Sequence, residues 1–130
     1  MKIEEAREKT MQLVFQMDAN NDFNYENLSI ISEDRNVLKS GQALRVLKAI
    51  NEHISDIDET ISSHMDKWKI DRIGKADLAI LRVAVAEILY VEEVPQAVSI
   101  NEAVELSKKY GDAKSSSFVN AVLGKICNEN

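Results

Sequence analysis

Residues 77–95 read DLAILRVAVAEILYVEEVP. From Leu78 to Val91 only Arg82 and Glu87 carry a charge, so a helix here is apolar almost all the way round. Such a helix belongs at the centre of a domain, with other helices packed on several of its faces. The run is too short and too charged to cross a bilayer, which takes about 20 apolar residues. Asp71 or Gly74 is expected to open the helix, and Pro95 to enforce its end.

The pattern continues downstream. Ser99, with Glu102 three residues later, has the form of a capping box and predicts the start of the next helix. Gly111 then stands where a left-handed C′ residue closes a helix. The junction SKKYGDAKSSSFVN, residues 107–120, leads into a last helix with Ser115 as its predicted N-cap. The inward stripe of that helix is Phe118, Val119, Val122, Leu123 and Ile126.

Upstream, Leu47, Ile50, Ile54, Ile57 and Ile61 alternate three and four apart within a long amphipathic pattern from about Arg35 to Met65. A break is expected near Ser40 and Gly41, and the outer face is acidic. Ile3, Ala6, Thr10, Met11, Val14 and Met17 predict a first helix, followed by the loop DANNDFNYEN. The patch around Leu28, Ile30 and Ile31 fits either a short helix or a loop. With only four glycines and one proline in 130 residues, the chain reads as all-α, with six or seven helices.

Residues 1–130 are of single-domain size, and 45% hydrophobic with 29% charged residues is ordinary for a globular protein. One cysteine, Cys127, makes no intramolecular disulfide, and MKIEEAREKTM lacks the apolar core of a signal peptide. A cytoplasmic location with no membrane association is expected. The net charge of −6 does not exclude a nucleic-acid partner, because its whole excess lies in residues 16–66, with four basic and ten acidic side chains. Residues 1–15 and 96–130 are each balanced, three against three and four against four.

Catalytic chemistry finds no support. There is no phosphate-cradling glycine loop, nucleophile elbow or cysteine pair. His53 and His64, eleven residues apart on one helix, would sit roughly 16 Å apart, too far to share a metal ion. Glu87 is the acid in the most apolar setting, with Arg82 as a candidate buried partner or fellow member of a polar network. No enzyme activity, metal or cofactor is expected.

Two places carry charge or aromatic faces that packing alone does not require. Arg7 falls inside the apolar stripe of the first helix, where it must snorkel, pair or face a ligand; local physics favours pairing within the fold. At the junction, helix capping and the dipole explain Lys108, Lys109, Gly111 and Ser115, and core packing explains Phe118. A helix N-terminus with hydroxyls and Lys114 also suits a phosphate, and Tyr110 and Phe118 offer stacking faces for unpaired bases. Local physics favours the structural explanation here too.

Several ordered motifs resemble those of the NusB family of bacterial transcription antitermination factors. They are Ile80-Leu81-Arg82 with the downstream Glu87, Val94-Pro95, INEAVELSKKY from Ile100 to Tyr110, and SSSFVNAVL from Ser115 to Leu123. The segment AREKTMQLVFQMD, from Ala6 to Asp18, is similar to the family's opening. The likeness runs from about residue 6 to 127 and is weak between 19 and 66. It implies two three-helix bundles packed into one RNA-binding domain.

The resemblance also implies binding of the boxA element of nascent ribosomal RNA, as a heterodimer with a small-subunit ribosomal protein, NusE. The two act within the RNA polymerase antitermination complex. By position, it implies RNA contact at Lys2, Arg7, Phe15, Lys114, Ser115 and Phe118, and a partner role for Asp77 and Arg82. The family's arginine-rich arm is here MKIEEAREK, with Glu4 and Glu5 in basic places, and Phe15 replaces the commoner tyrosine. Phosphate attraction dominates nucleic-acid affinity, so weak RNA binding by the isolated chain is expected. The alternative is a helical adaptor that binds the ribosomal protein and touches little RNA. A NusB-like domain also occurs fused to ribosomal RNA cytosine methyltransferases; 130 residues leave no room for a cofactor-binding fold beside it, so that reading is expected to hold only if the chain is a fragment.

Overall fold

Lys75 to Tyr90 form one helix, and from Leu78 to Glu87 ten successive residues are buried. The structure, a computed structural model, describes residues 2–27, 36–65 and 70–129. Among these are α1 (Ile3–Ala19), α2 (Asn36–Lys39), α3 (Gly41–Ser63), α4 (Lys75–Tyr90), α5 (Gln96–Tyr110) and α6 (Ser115–Glu129). Single 3₁₀ turns stand at Tyr25–Asn27 and Ile70–Arg72, and no described residue is in a strand. The expected all-α class holds. The apolar patch at Leu28, Ile30 and Ile31 and the start of the long pattern at Arg35 lie outside the described residues.

Helix α4 packs against α1, α3, α5 and α6. It therefore lies where the N-terminal group, α1–α3, meets the C-terminal group, α4–α6. The buried apolar residues of both groups form one cluster. In α3, Leu47, Ile50, Ile57 and Ile61 are buried and Ile54 packs against the cluster from its edge, as the spacing predicts. The expected break is a cap: the Ser40 hydroxyl accepts a hydrogen bond from the Ala43 amide at 3.3 Å. A second irregularity, non-helical backbone at His53, bends α3 where the imidazole stacks on Tyr90 at 4.2 Å. In α1, Ala6, Thr10, Met11, Val14 and Met17 face inward, but Ile3 is 58% exposed.

Four terminus assignments need correction. Pro95 does not close α4, which ends at Tyr90; it stands at the N-cap of α5 with ψ 139°, and its carbonyl accepts from the Val98 and Ser99 amides. Ser99 therefore lies inside the first turns of α5 rather than capping it. Its buried hydroxyl donates to Glu87 Oε1 at 2.8 Å, a tertiary partner that the capping pattern could not reveal. Gly111 has φ −97° and ψ −172°, ordinary extended backbone, so its conformation does not require glycine. Space does: a Cβ there would collide with the Ser115 side chain and lie 2.8 Å from the Ser107 carbonyl oxygen. Ser115 is the first residue of α6, and its hydroxyl accepts from the Asp112 amide, upstream of the helix, instead of capping it.

The two charges of α4 do not pair with each other. Five residues apart, they point to different sides of the helix. Glu87 accepts from Arg7 Nε at 2.8 Å, Ser99 Oγ at 2.8 Å and Gln42 Nε2 at 3.4 Å, joining α1, α3, α4 and α5 through one buried carboxylate. Arg82 makes a bidentate pair with Asp58, both bonds 2.8 Å, and its guanidinium lies 4.8 Å from the Phe23 ring centroid. Its Nη1 is 3.3 Å from Asp18 Oδ1, an ion pair outside hydrogen-bonding geometry. Removing one partner of such a buried pair typically costs about 3–5 kcal/mol, because the other charge is left without compensation.

Candidate nucleic-acid interface

The turn between α5 and α6 is built from its own polar groups. Asp112 Oδ1 accepts from the Lys114 amide at 2.9 Å, and Ser115 Oγ accepts from the Asp112 amide at 2.9 Å. The Ser115 hydroxyl donates across to Asp77 Oδ2 at 2.9 Å, tying the start of α6 to the start of α4. Around this tie is a cavity of about 350 Å³, lined by Arg72, Ile73, Gly74, Asp77, Asp112, Lys114, Ser115 and Phe118. Phe118 forms a half-buried wall whose inner side packs on the core, and Lys114 is exposed at the rim.

The electrostatics of the cavity are mixed. Its two cations, Arg72 and Lys114, face two carboxylates, Asp77 and Asp112. Desolvation raises the pKa of Asp77; the Ser115 hydrogen bond opposes that rise and the charge of Asp112 adds to it. Asp77 Oδ1 is buried with no hydrogen-bond partner. The positive end of α6 therefore opens beside negative charge, which weakens its pull on a phosphate.

A second surface adjoins the first. Glu8, Gln12 and Phe15 share one face of α1 by helical spacing. Gln12 Nε2 donates to the Tyr110 hydroxyl at 2.9 Å, and Lys109 Nζ donates to both Glu8 oxygens at 2.8 and 2.9 Å. These contacts seat the outer face of α1 on the end of α5. Phe15, 43% exposed, follows on the same stripe. The stretch from Tyr110 to Lys114 connects this seam to the cavity.

The structure thus brings Lys114, Ser115, Phe118 and Asp77 together and sets Phe15 on the neighbouring seam. It does not bring Arg7 there. The Arg7 head is buried in its pair with Glu87, with Glu102 at 3.9 Å, rather than open to a groove shared with Lys114. Glu87 and Asp77 are ten residues apart on α4, roughly 15 Å along its axis. Lys2 is exposed at the start of α1, thirteen residues and roughly 20 Å from Phe15. Arg82 lies inside the fold, away from solvent.

Sequence reasoning missed Glu8, Gln12, Arg72 and Asp112, and explained Lys109 by the helix dipole alone. The 8, 12, 15 spacing on the polar side of α1 was the one available signal. Among the described residues, no three His, Cys, Asp or Glu side chains are grouped to hold a metal ion. No described helix is long and apolar enough to cross a membrane.

Comparison with known proteins agrees across sequence and structure. The family model described as the NusB family matches residues 4–128. The transcription antitermination protein NusB of Oceanobacillus iheyensis is 45% identical over 122 residues, covering 93% of this chain and 94% of that protein. The NusB protein of Finegoldia magna is 41% identical over 124 residues, covering 94% and 90%. A structure of T. maritima NusB superposes with a TM-score of 0.87 at 31% identity, covering all of this chain and 93% of that one. A crystal structure of the antitermination factors NusB and NusE in complex with double-stranded RNA gives a TM-score of 0.83 at 26% identity, covering 98% and 96%.

Proposed function

The chain belongs to the NusB family, and from that premise we propose that it is a transcription antitermination factor that binds boxA RNA of nascent ribosomal transcripts together with the ribosomal protein NusE. It acts as one RNA-binding domain in the cytoplasm, within the RNA polymerase antitermination complex, and by binding rather than by chemistry. The observation that carries the RNA surface is the cavity at the start of α6, which places the half-buried face of Phe118 beside exposed Lys114, with a second aromatic, Phe15, 43% exposed on the face of α1 that Gln12 ties to Tyr110. Exposed aromatic faces stack unpaired bases whatever their sequence, and a nearby lysine adds a phosphate contact.

The remaining residues take different roles. Ser115 holds the junction in shape through Asp112 and Asp77. Arg7 positions the first turns of α1 through Glu87, and Lys2 supplies an outlying phosphate contact. Asp77 serves the partner face from the cavity, and Arg82 serves it by fixing Asp58 and Asp18. The adaptor reading draws its support from the acidic arm, where Glu4 and Glu5 are exposed in the first turn of α1.

Binding of boxA RNA in the presence of NusE separates the two readings. With three or four phosphate contacts, the log–log salt slope for a single strand is expected near −2 to −3, at about −0.7 per contact. Phe118→Ala is expected to weaken RNA binding by about 1–3 kcal/mol, with folding stability measured alongside. If Phe118→Ala and Lys114→Ala both stay folded and bind normally, the junction is only a helix connection and the adaptor reading stands.

A further inference from the structure

We propose, on the basis of the RNA-binding reading above, that the α1–α5 seam is a second RNA subsite with Lys109 as its phosphate contact, and that Glu8 is a built-in competitor for that phosphate. Lys109 reaches from the last turn of α5 to α1, and both Glu8 carboxylate oxygens accept from its ammonium. The lysine side chain is nevertheless 60% exposed and Glu8 28% exposed. The pair is open to solvent, and an exposed ion pair adds little to stability, so an incoming anion displaces it at small cost.

What surrounds the pair suits a nucleotide. Lys109 lies 5.4 Å from the Tyr110 ring centroid, and Tyr110 is held by Gln12. Phe15, next along the Glu8–Gln12 stripe, is the exposed aromatic of the seam. The seam therefore sets a cation, an amide and, by helical spacing, an aromatic face beside one another. These are the groups that hold a phosphate, a base edge and a base plane of single-stranded RNA.

Glu8 opposes this arrangement in two ways: it occupies the lysine, and its own charge repels the phosphate. The hydrogen bond from Lys109 is the first cause of the lowered Glu8 pKa, so the competitor stays ionised through the neutral range. The seam is thus a low-affinity subsite as built, and fills when neighbouring contacts already hold the strand.

Glu8→Gln, Lys109→Gln and the double substitution test this in the full chain with NusE and a single-stranded boxA RNA. Glu8→Gln is expected to tighten binding about two- to fivefold and to steepen the salt slope by about 0.7, the increment for one more phosphate neutralised by a lysine. In the Lys109→Gln background the same change is expected to tighten binding less, by the relieved repulsion alone, and to leave the salt slope as it was. An unaltered slope overturns the proposal. So does an equal tightening without Lys109, because Glu8 then acts only through net charge. If the parent protein with NusE binds no boxA RNA, the RNA-binding reading itself fails. If it binds but Glu8→Gln changes nothing, only the seam is rejected.

Discussion

Gly111→Ala tests the junction at its tightest point. The backbone there is extended, with φ −97°, so alanine suffers no torsional strain and the whole effect is steric. The added methyl would overlap the Ser115 side chain and stand 2.8 Å from the Ser107 carbonyl oxygen. Overpacking of this kind costs about 1–3 kcal/mol. If Ser115 swings aside, it also gives up its bonds from the Asp112 amide and to Asp77, each worth about 1 kcal/mol net. Restricting the unfolded chain returns about 0.4–1 kcal/mol. The net loss is about 2–4 kcal/mol.

Urea unfolding reads it as a lower midpoint at unchanged slope. Ser115→Gly removes both colliding atoms, so the double variant should lose less than the sum of the two single losses, with a coupling of at least about 1 kcal/mol. The Ser107 carbonyl stays in place, so rescue should be partial. A Gly111→Ala protein within about 0.5 kcal/mol of the parent, or strict additivity in the double variant, refutes the steric argument.

Arg7→Ala should destabilise the fold by about 3–5 kcal/mol in urea unfolding, since it strands a buried Glu87 carboxylate. Arg7→Met with Glu87→Leu should lose less than Arg7→Ala alone, because no buried charge remains. Asp77→Asn should be more stable than the parent at neutral pH. A raised folded-state pKa means that Asp77 favours the folded state below the unfolded value near 3.8, and that this contribution is lost as pH rises through the folded value. The advantage of Asn should therefore shrink as unfolding is measured at progressively lower pH toward 4.

What could be read from the chain divides along the reach of its contacts. Helix α4 was legible because burial on all sides leaves a local trace, a long run with two charges. The stripe of α3 was legible for the same reason. Gly74 and Ser40 stand at the N-caps of α4 and α3 as expected, but the other helix ends were not legible. Ser99 has the local form of a cap, but its hydroxyl is taken by Glu87 twelve residues earlier. Gly111 has the local form of a left-handed terminator, but the space that excludes a side chain is set by Ser115 and Ser107. The site shows the same limit. Arg7 finds its partner 80 residues away and Lys109 finds Glu8 101 residues away. Local pattern favoured pairing for Arg7 but could not name the partner. Lys114 and Phe118 stood out as candidates beside a helix start, yet only the family likeness ranked them above capping and packing.

The pairing of charge explains how an acidic protein can present an RNA surface and still lean on a partner. Arg7 and Arg82, basic residues in the motifs shared with the family, are spent inside the fold on Glu87, Asp58 and Asp18. Near the proposed interface, Lys75 pairs with Asp18 at 3.2 Å and Lys109 with Glu8. The junction cavity sets two carboxylates against its two cations. The field that usually gathers nucleic acid from a distance is therefore weak on this face, and the proposed interface offers few phosphate contacts. What remains for the proposed interface is short-range: the faces of Phe15 and Phe118, whose stacking would act only once a strand is already in place. A surface of this kind recruits a strand poorly by itself. On the proposed reading, the further phosphate contacts that such a surface lacks fall to the ribosomal protein bound beside it.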